Sequence, residues 1–377
     1  MASPFKFGVV VRGDSFTNRT DELKRLNQNF LGGINTIIIS PRKWGKSSLV
    51  KNAADLLSQQ NHKIIFCFID LFSIRSEEQF YRVLAKEVIR STTSKPEEIL
   101  HAVKIFFKKL NPKISFGSDP INDFQFSFTI SKESKDYEEV INLPEKVAAD
   151  KKLKIIICID EFQNLAYFDE PLLFQKRLRS LVQYHKHTSY CFYGSKKDMM
   201  INIFDSKSMP FYKFGDLMLL GKIELESLSK FIINLFEKSG KSIDNKYAER
   251  ICEIMECHPY YVQQLSHIVW INTSNFVNED IFNSSLGELI DQNALLFEKE
   301  AESMNNTQIR FLISICQGIT EGHTRKEILN TYKLGTSANA IKVRKALLSR
   351  EVIDIHQQKI VFQDPAFKLW FIKNYLG

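Results

Sequence analysis

The sequence predicts an α/β protein built on a parallel sheet, and three observations carry that expectation. Four short apolar runs, TIIIS (36–40), KIIFCFID (63–70), KIIICID (154–160) and SYCFYGS (189–195), have the length and β-branched content of buried strands. Their hydrophobicity is continuous rather than alternating, so both faces are covered, as in a parallel sheet between helical layers. Helical stretches separate them: KSSLVKNAADLLSQQ after the first, EEQFYRVLAKEVIRS after the second, LFQKRLRSLVQYH between the third and fourth. That alternation is the signature of a doubly wound domain, and DLMLLGKI (216–223) predicts a fifth strand.

A chain of 377 residues exceeds the size at which one core usually suffices. Residues 96–150 interrupt the alternation with a helix, EEILHAVKIFFKKL, and two alternating stretches, KISFG and FQFSFTISKE, around Gly117 and Pro120. They predict a hairpin inserted on the outside of the sheet, with no visible chemistry. After about residue 224 amphipathic helices take over, ending in a long connecting helix within EDIFNSSLGELIDQNALLFEKEAESM. From Asn306 three helices lead to an extended pair around IDIHQQKIVFQD, the order of a winged helix-turn-helix. The expected domains are therefore 1–224, with its insertion at about 96–150, then 225–302 and 303–377.

A hydrophobic share of 44% with 25% charged residues is ordinary for a globular protein and argues against extensive disorder. The N-terminal apolar residues are interrupted by Lys6, Arg12 and Asp14, unlike a secretory signal. No uncharged apolar run approaches the ~18 residues that span a bilayer, so a cytoplasmic protein without a membrane partner is expected. The six cysteines are scattered without Cys-x-x-Cys pairs or neighbouring histidines, and Cys67, Cys158 and Cys191 fall inside strand-like runs, as reduced core residues do. The net charge of +7 is uneven: from Ser303 onward 11 Lys or Arg face 5 Asp or Glu, which points to an acidic partner there.

The chemistry concentrates in two motifs. In IISPRKWGKSSLV, Gly45, Lys46 and Ser47 fit the phosphate-loop pattern, while Ser40 stands where its first Gly belongs. In such a loop backbone N–H groups converge on a phosphate at a helix N-terminus. Lys46 would reach the β- and γ-phosphates and Ser47 would take one Mg²⁺ position; the bland alternative is a surface Gly-Lys-Ser turn. In KIIICIDEFQNL an apolar strand ends in Asp160-Glu161, where one carboxylate can hold Mg²⁺ and another polarise a water. Two carboxylates at a strand tip also begin ordinary loops, but the order of the two motifs favours the site. Ser195, after the strand expected between the two motif strands, either senses the γ-phosphate or forms only a turn.

These stretches, with FTNRTDELKRL, YGSKKDMM, MPFYKFGDLMLLGKI, HPYYVQQL and VFQDPAFKLWF, resemble the archaeal-type ATPase family of the STAND and AAA+ P-loop nucleotidases, from about Phe16 to Trp370. The resemblance implies an ASCE/AAA+-like P-loop NTPase sheet, a helical lid domain and a C-terminal winged-helix domain. It implies ATP and Mg²⁺ held by Ser40, Pro41, Arg42, Lys43, Trp44, Gly45, Lys46, Ser47 and Ser48. Asp160 would be the Walker B carboxylate beside Ser47 on the metal, and Glu161 the activator of water. It also implies that Phe16 and Arg19 lie near the adenine end, and that His258 and Pro259 face the nucleotide.

The family often has Gly at the position of Ser40, and an arginine where this chain has Lys213. A missing arginine finger can lower turnover by ~10³-fold or more, so slow hydrolysis and a nucleotide-controlled switch are expected. Arg177 and Arg179 are candidates to act in trans in a nucleotide-dependent homo-oligomer. In SANAIKVRKALLSREV the basic Lys342, Arg344 and Lys345 would contact DNA if that helix entered a groove; the bland reading is a solvated face. Phe362, Phe367, Trp370, Phe371 and Tyr375 read as core. The alternative function is a winged-helix DNA-binding regulator, or a scaffold recruiting a protein partner, with ATP as a structural ligand.

Overall fold

A computed structural model of the protein describes residues 2–16, 19–106, 113–117, 119, 124–127, 136–356 and 358–377. The chain divides into two units, residues 10–221 and residues 1–9 with 222–377.

The first unit is built on five parallel strands, β1 (Thr36–Ile39), β2 (Ile64–Asp70), β5 (Lys154–Asp160), β6 (Thr188–Gly194) and β7 (Asp216–Leu219), in the order β2-β5-β6-β1-β7. The strand carrying SYCFYGS thus lies between the two motif strands. The continuous hydrophobicity has a direct cause: Ile155, Ile157 and Ile159 join one core, Ile156 and Cys158 the other. Helices α1 (Thr20–Gly32) and α2 (Lys46–Gln60) cover the second face, through Leu26, Phe30, Leu49 and Ala53. The first face is covered by α3 (Glu77–Thr92) and by α7 (Pro171–Val182), which begins on a proline. Ser76 caps α3 by accepting from Gln79 N at 3.2 Å.

In the inserted segment, α4 (Pro96–Phe106) is followed by a separate antiparallel hairpin of β3 (Lys113–Phe116) and β4 (Phe124–Ser127). The rest of the expected helix, 107–110, and the end of the second strand, 128–133, lie outside the described residues. Two short helices that sequence periodicity leaves unmarked, α5 (Asp136–Ile141) and α6 (Leu143–Lys151), bury Val140, Ile141, Val147 and Ala148 in the sheet's core. Between these helices and the last strand of the first unit lies α8 (Lys197–Asp205).

The second unit contains α9 (Leu225–Lys238), α10 (Asn245–Ile254), α11 (Pro259–Asn272) and the long α12 (Glu279–Glu302). Then come α13 (Asn306–Cys316), α14 (Lys326–Thr331), α15 (Ser337–Ser349), the antiparallel hairpin β8 (Ile353–His356) and β9 (Lys359–Phe362), and α16 (Pro365–Tyr375). One continuous hydrophobic cluster includes Phe5, Ile223 and residues from Leu228 to Phe371, among them Phe362, Phe367 and Trp370, so these aromatic residues are core. Tyr375, expected in the core with them, is instead 41% exposed, because it closes the last turn of α16 and only stacks on Phe371 from outside. Among the described residues no helix is long and apolar enough to cross a membrane.

Candidate nucleotide site

The loop between β1 and α2 starts at Ser40, which is buried; its N–H donates to Gly194 O at 3.3 Å and its hydroxyl to Pro41 O at 3.3 Å. Its Cβ is accommodated, so the missing glycine leaves the turn intact. Gly45 has φ +88, a left-handed conformation natural to glycine, and a Cβ there would meet nothing within 4 Å. Backbone conformation rather than space therefore demands glycine there. Helix α2 begins at once with Lys46, so its first N–H groups point into the loop. Pro41 and Trp44 are half-buried, Arg42 and Lys43 exposed, and Lys43 takes φ +63.

Two carboxylates at the end of β5 meet the start of α2. Ser47 Oγ donates to Asp160 Oδ2 at 2.7 Å, and Lys46 Nζ lies 3.0 Å from Glu161 Oε1. Glu161 Oε2 accepts from Ser195 Oγ at 2.8 Å and from Gln163 Nε2. Burial pushes the Asp160 carboxyl up to about 6, against the pull of Lys46 and the Ser47 hydroxyl, while neighbouring Glu161 adds to the rise. Burial also acts to raise Glu161, but Lys46 and the bonds from Ser195 and Gln163 outweigh it and hold the group below its ordinary value. Among the described residues no group of three or more His, Cys, Asp or Glu clusters as a metal site.

Arg19 lies beneath the loop. Its guanidinium donates to Trp44 O at 3.0 Å, to Gly221 O at 3.1 Å and to Glu22 at 2.9 Å, and burial lowers its pKa against the opposing effect of Glu22. Ser48 Oγ accepts from Val11 N at 3.0 Å, and Asn52 accepts from Gly13 N at 3.2 Å while donating to Val11 O at 2.8 Å. The segment before α1 is thereby fastened to α2. Asn52 and Gln163 are the site residues that sequence reasoning missed; the short spacing of Gln163 after the carboxylate pair is a signal that could have found it.

Other expected residues have different surroundings. Arg177 pairs with Glu77 at 3.0 Å, Arg179 donates to Gln183 at 2.8 Å and Lys213 pairs with Asp205 at 2.6 Å. His258 and Pro259 open α11 in the second unit, His258 buried and edge-on to Tyr261 at 5.1 Å. On α15, Lys342 and Lys345 are exposed, whereas Arg344 is half-buried and lines a cleft of about 240 Å³ with His323.

A phosphate loop between a strand and a helix, two carboxylates on a strand tip, and the strand between them define a P-loop ATPase of AAA+-like fold. Residues 16–265 match the family described as an ATPase domain predominantly from Archaea, and the chain belongs to that family. No curated protein matches the chain. Among solved structures it is similar to the Walker-type ATPase PABY2304 of Pyrococcus abyssi (15% identity, 96% of this chain and 97% of that one, TM-score 0.65). It is also similar to the Aeropyrum pernix ORC2 protein solved as ADPNP and ADP complexes (12% identity, 94% and 92%, TM-score 0.55). The Aeropyrum pernix ORC1 protein in complex with DNA follows (11% identity, 96% and 94%, TM-score 0.50). At these identities the likeness is one of fold.

Proposed function

We propose that the protein binds Mg-ATP at this loop and hydrolyses it slowly, as a nucleotide-controlled switch of the STAND/AAA+ kind. The observation that carries the reading is the apposition of Lys46 and Ser47 with Glu161 and Asp160, 3.0 and 2.7 Å apart. The loop N–H groups and Lys46 would bind the phosphates, and Ser47 and Asp160 would hold Mg²⁺. The residues fit that cation: a hydroxyl and a carboxylate already in contact are hard oxygen donors. Bound there, Mg²⁺ would neutralise phosphate charge. Glu161 would take the proton of the attacking water. Lys46 must first leave Glu161 for the phosphates, so the ion pair makes the base available only after nucleotide arrives.

Slow turnover is supported by Lys213, which stands where the family often has arginine and is paired with Asp205. An arginine from a second copy in a homo-oligomer would raise the rate. In this reading residues 225–302 act as lid, with His258 and Pro259 toward the nucleotide, and 303–377 as a winged helix. A second reading, DNA binding through α15 with ATP as a structural ligand, is supported by the exposure of Lys342 and Lys345 and the net +6 charge from Ser303 onward.

The test measures ATP binding and steady-state hydrolysis by wild type, Lys46→Ala and Glu161→Gln, with and without DNA. Turnover lost in both variants, with binding kept in Glu161→Gln, is the expected result. Tight binding without turnover in any form would sink the enzyme reading. Salt-dependent DNA affinity lost on Lys342→Ala and Lys345→Ala would favour the second reading.

A further inference from the structure

Gln163 stands two residues beyond Glu161 in the short 3-10 turn Phe162–Tyr167 and is 1% exposed. Its Nε2 donates to Glu161 Oε2, the same oxygen that accepts from Ser195. Its Oε1 is buried and has no hydrogen-bond partner. Such an unpaired polar atom carries an uncompensated desolvation cost, which an apolar side chain of equal length would avoid. Gly194 makes the room: a Cβ there would lie 2.0 Å from Gln163 Oε1 and 2.8 Å from Met200 Sδ. Glu161 itself has φ +50, a left-handed conformation that is unfavourable for a residue with a Cβ. Three departures from the least costly local arrangement converge on one carboxylate, a pattern that belongs to functional sites rather than to plain core.

The other oxygen, Glu161 Oε1, faces Lys46 at 3.0 Å. When Lys46 turns to the phosphates, Oε1 loses its partner while Oε2 stays held from two sides. We propose that Gln163 is a positioning residue for hydrolysis: with Ser195 it pins Oε2, so that Oε1 is the oxygen presented to the attacking water. The water oxygen bonds to the γ-phosphorus as its proton passes to Oε1. The bond from that phosphorus to the bridging oxygen breaks, and its electron pair leaves on ADP. The proposal rests on the ATPase reading above.

Gln163→Met keeps the length and bulk of the side chain and removes its amide, so it tests the bond without opening a cavity. Steady-state kcat and KM, ATP affinity and melting temperature are measured beside wild type and Glu161→Gln. The expected result is a kcat lower by about 10- to 100-fold, the scale of a misplaced reacting group, with KM and affinity within twofold and the melting temperature no lower than wild type. Gly194→Ala, whose methyl displaces the amide, lowers kcat in the same way, and by less in a Gln163→Ala background than in wild type. A Gln163→Met kcat within twofold of wild type overturns the positioning role, as does a joint loss of kcat, affinity and melting temperature. If wild type turns over no faster than Glu161→Gln, the ATPase reading falls first and takes this role with it; a wild type that needs Glu161 but not Gln163 sinks the role alone.

Discussion

Asp160 illustrates how a single residue at the site carries a cost in the nucleotide-free protein. Its folded pKa of about 6 lies above the ordinary value of 3.8. The native state therefore holds its proton more tightly than the unfolded chain, and stability falls as pH rises from about 4 to about 6. Above that window the whole penalty is present, up to about 3 kcal/mol for two pKa units. Asp160→Asn is expected to raise the melting temperature of the nucleotide-free protein at pH 7.5, with the gain shrinking toward pH 4, and to abolish stabilisation by Mg-ATP; calorimetry with and without ligand checks both. His323 works in the opposite direction. Ser314 Oγ donates to Phe311 O at 2.6 Å, so it accepts from His323 Nε2 at 3.1 Å. Burial, then Arg344, depress its pKa to about 4. Between pH 6.5 and 4 the unfolded state binds a proton that the native state does not, so stability drops as pH falls through that window. Urea unfolding at pH 7.5 and 5 should show His323→Asn losing less than wild type; equal losses would refute the assignment. Lys46, Ser47, Asp160 and Glu161 were legible from spacing because each motif is local. Gln163 was legible only as a polar residue two positions past the carboxylate pair, because its role depends on Gly194, which approaches it from another strand.

Elements show the same division between local and distant causes. The strands were readable because burial on both faces makes them continuously apolar, and Asp364 followed by Pro365 is a local start pattern for the helix α16. Helices α5 and α6 were not, since each is too short to complete an apolar stripe and Asn142 separates them. Nor does sequence reveal what a cap does besides capping. Asp364 Oδ1 accepts from Phe367 N at 2.9 Å, as an N-cap should, while Oδ2 accepts from the Tyr261 hydroxyl of α11. Four residues into α16, Lys368 reaches Glu256 at 2.7 Å, just before α11. One carboxylate thus ends a helix and joins it to another. Asp364→Ala is expected to destabilise the protein by about 2 kcal/mol, about 1 from the lost cap and about 1 from the lost hydrogen bond of the Tyr261 hydroxyl. Asp364→Asn, whose single carbonyl oxygen can still accept from Phe367 N while its amide can only donate to the phenol oxygen, should fall between. A denaturant midpoint for Asp364→Ala equal to wild type would show that the joint is slack.

At the scale of the whole molecule, the course of the chain separates order in sequence from membership of a core. The backbone passes between the two units after residue 9 and after residue 221. Residues before the first crossing precede the sheet domain in sequence, yet Phe5 is buried in the core of the second unit, 5.5 Å from Phe236 and 6.5 Å from Phe231. Lys6 N donates to Gln263 Oε1 at 3.0 Å, and Phe7 packs on Tyr260 and His267 at 5.7 and 5.3 Å. Nothing in the pattern FKFGVVVRG tells which core Phe5 joins, because the partners that decide it lie more than 200 residues away. The helical unit is thus closed by a segment from the far end of the chain. Truncating a buried phenylalanine costs about 3–5 kcal/mol in lost transfer energy and cavity, and the loss should be local if the units have separate cores. Phe5→Ala is therefore expected to speed amide hydrogen exchange in α9 and α11 while β1, β5 and β6 keep their protection and ATP affinity stays within twofold. Exchange that quickens equally in the sheet would mean that the two cores unfold as one. Unchanged exchange in α9 and α11 would mean that residues 2–9 add nothing to the helical unit.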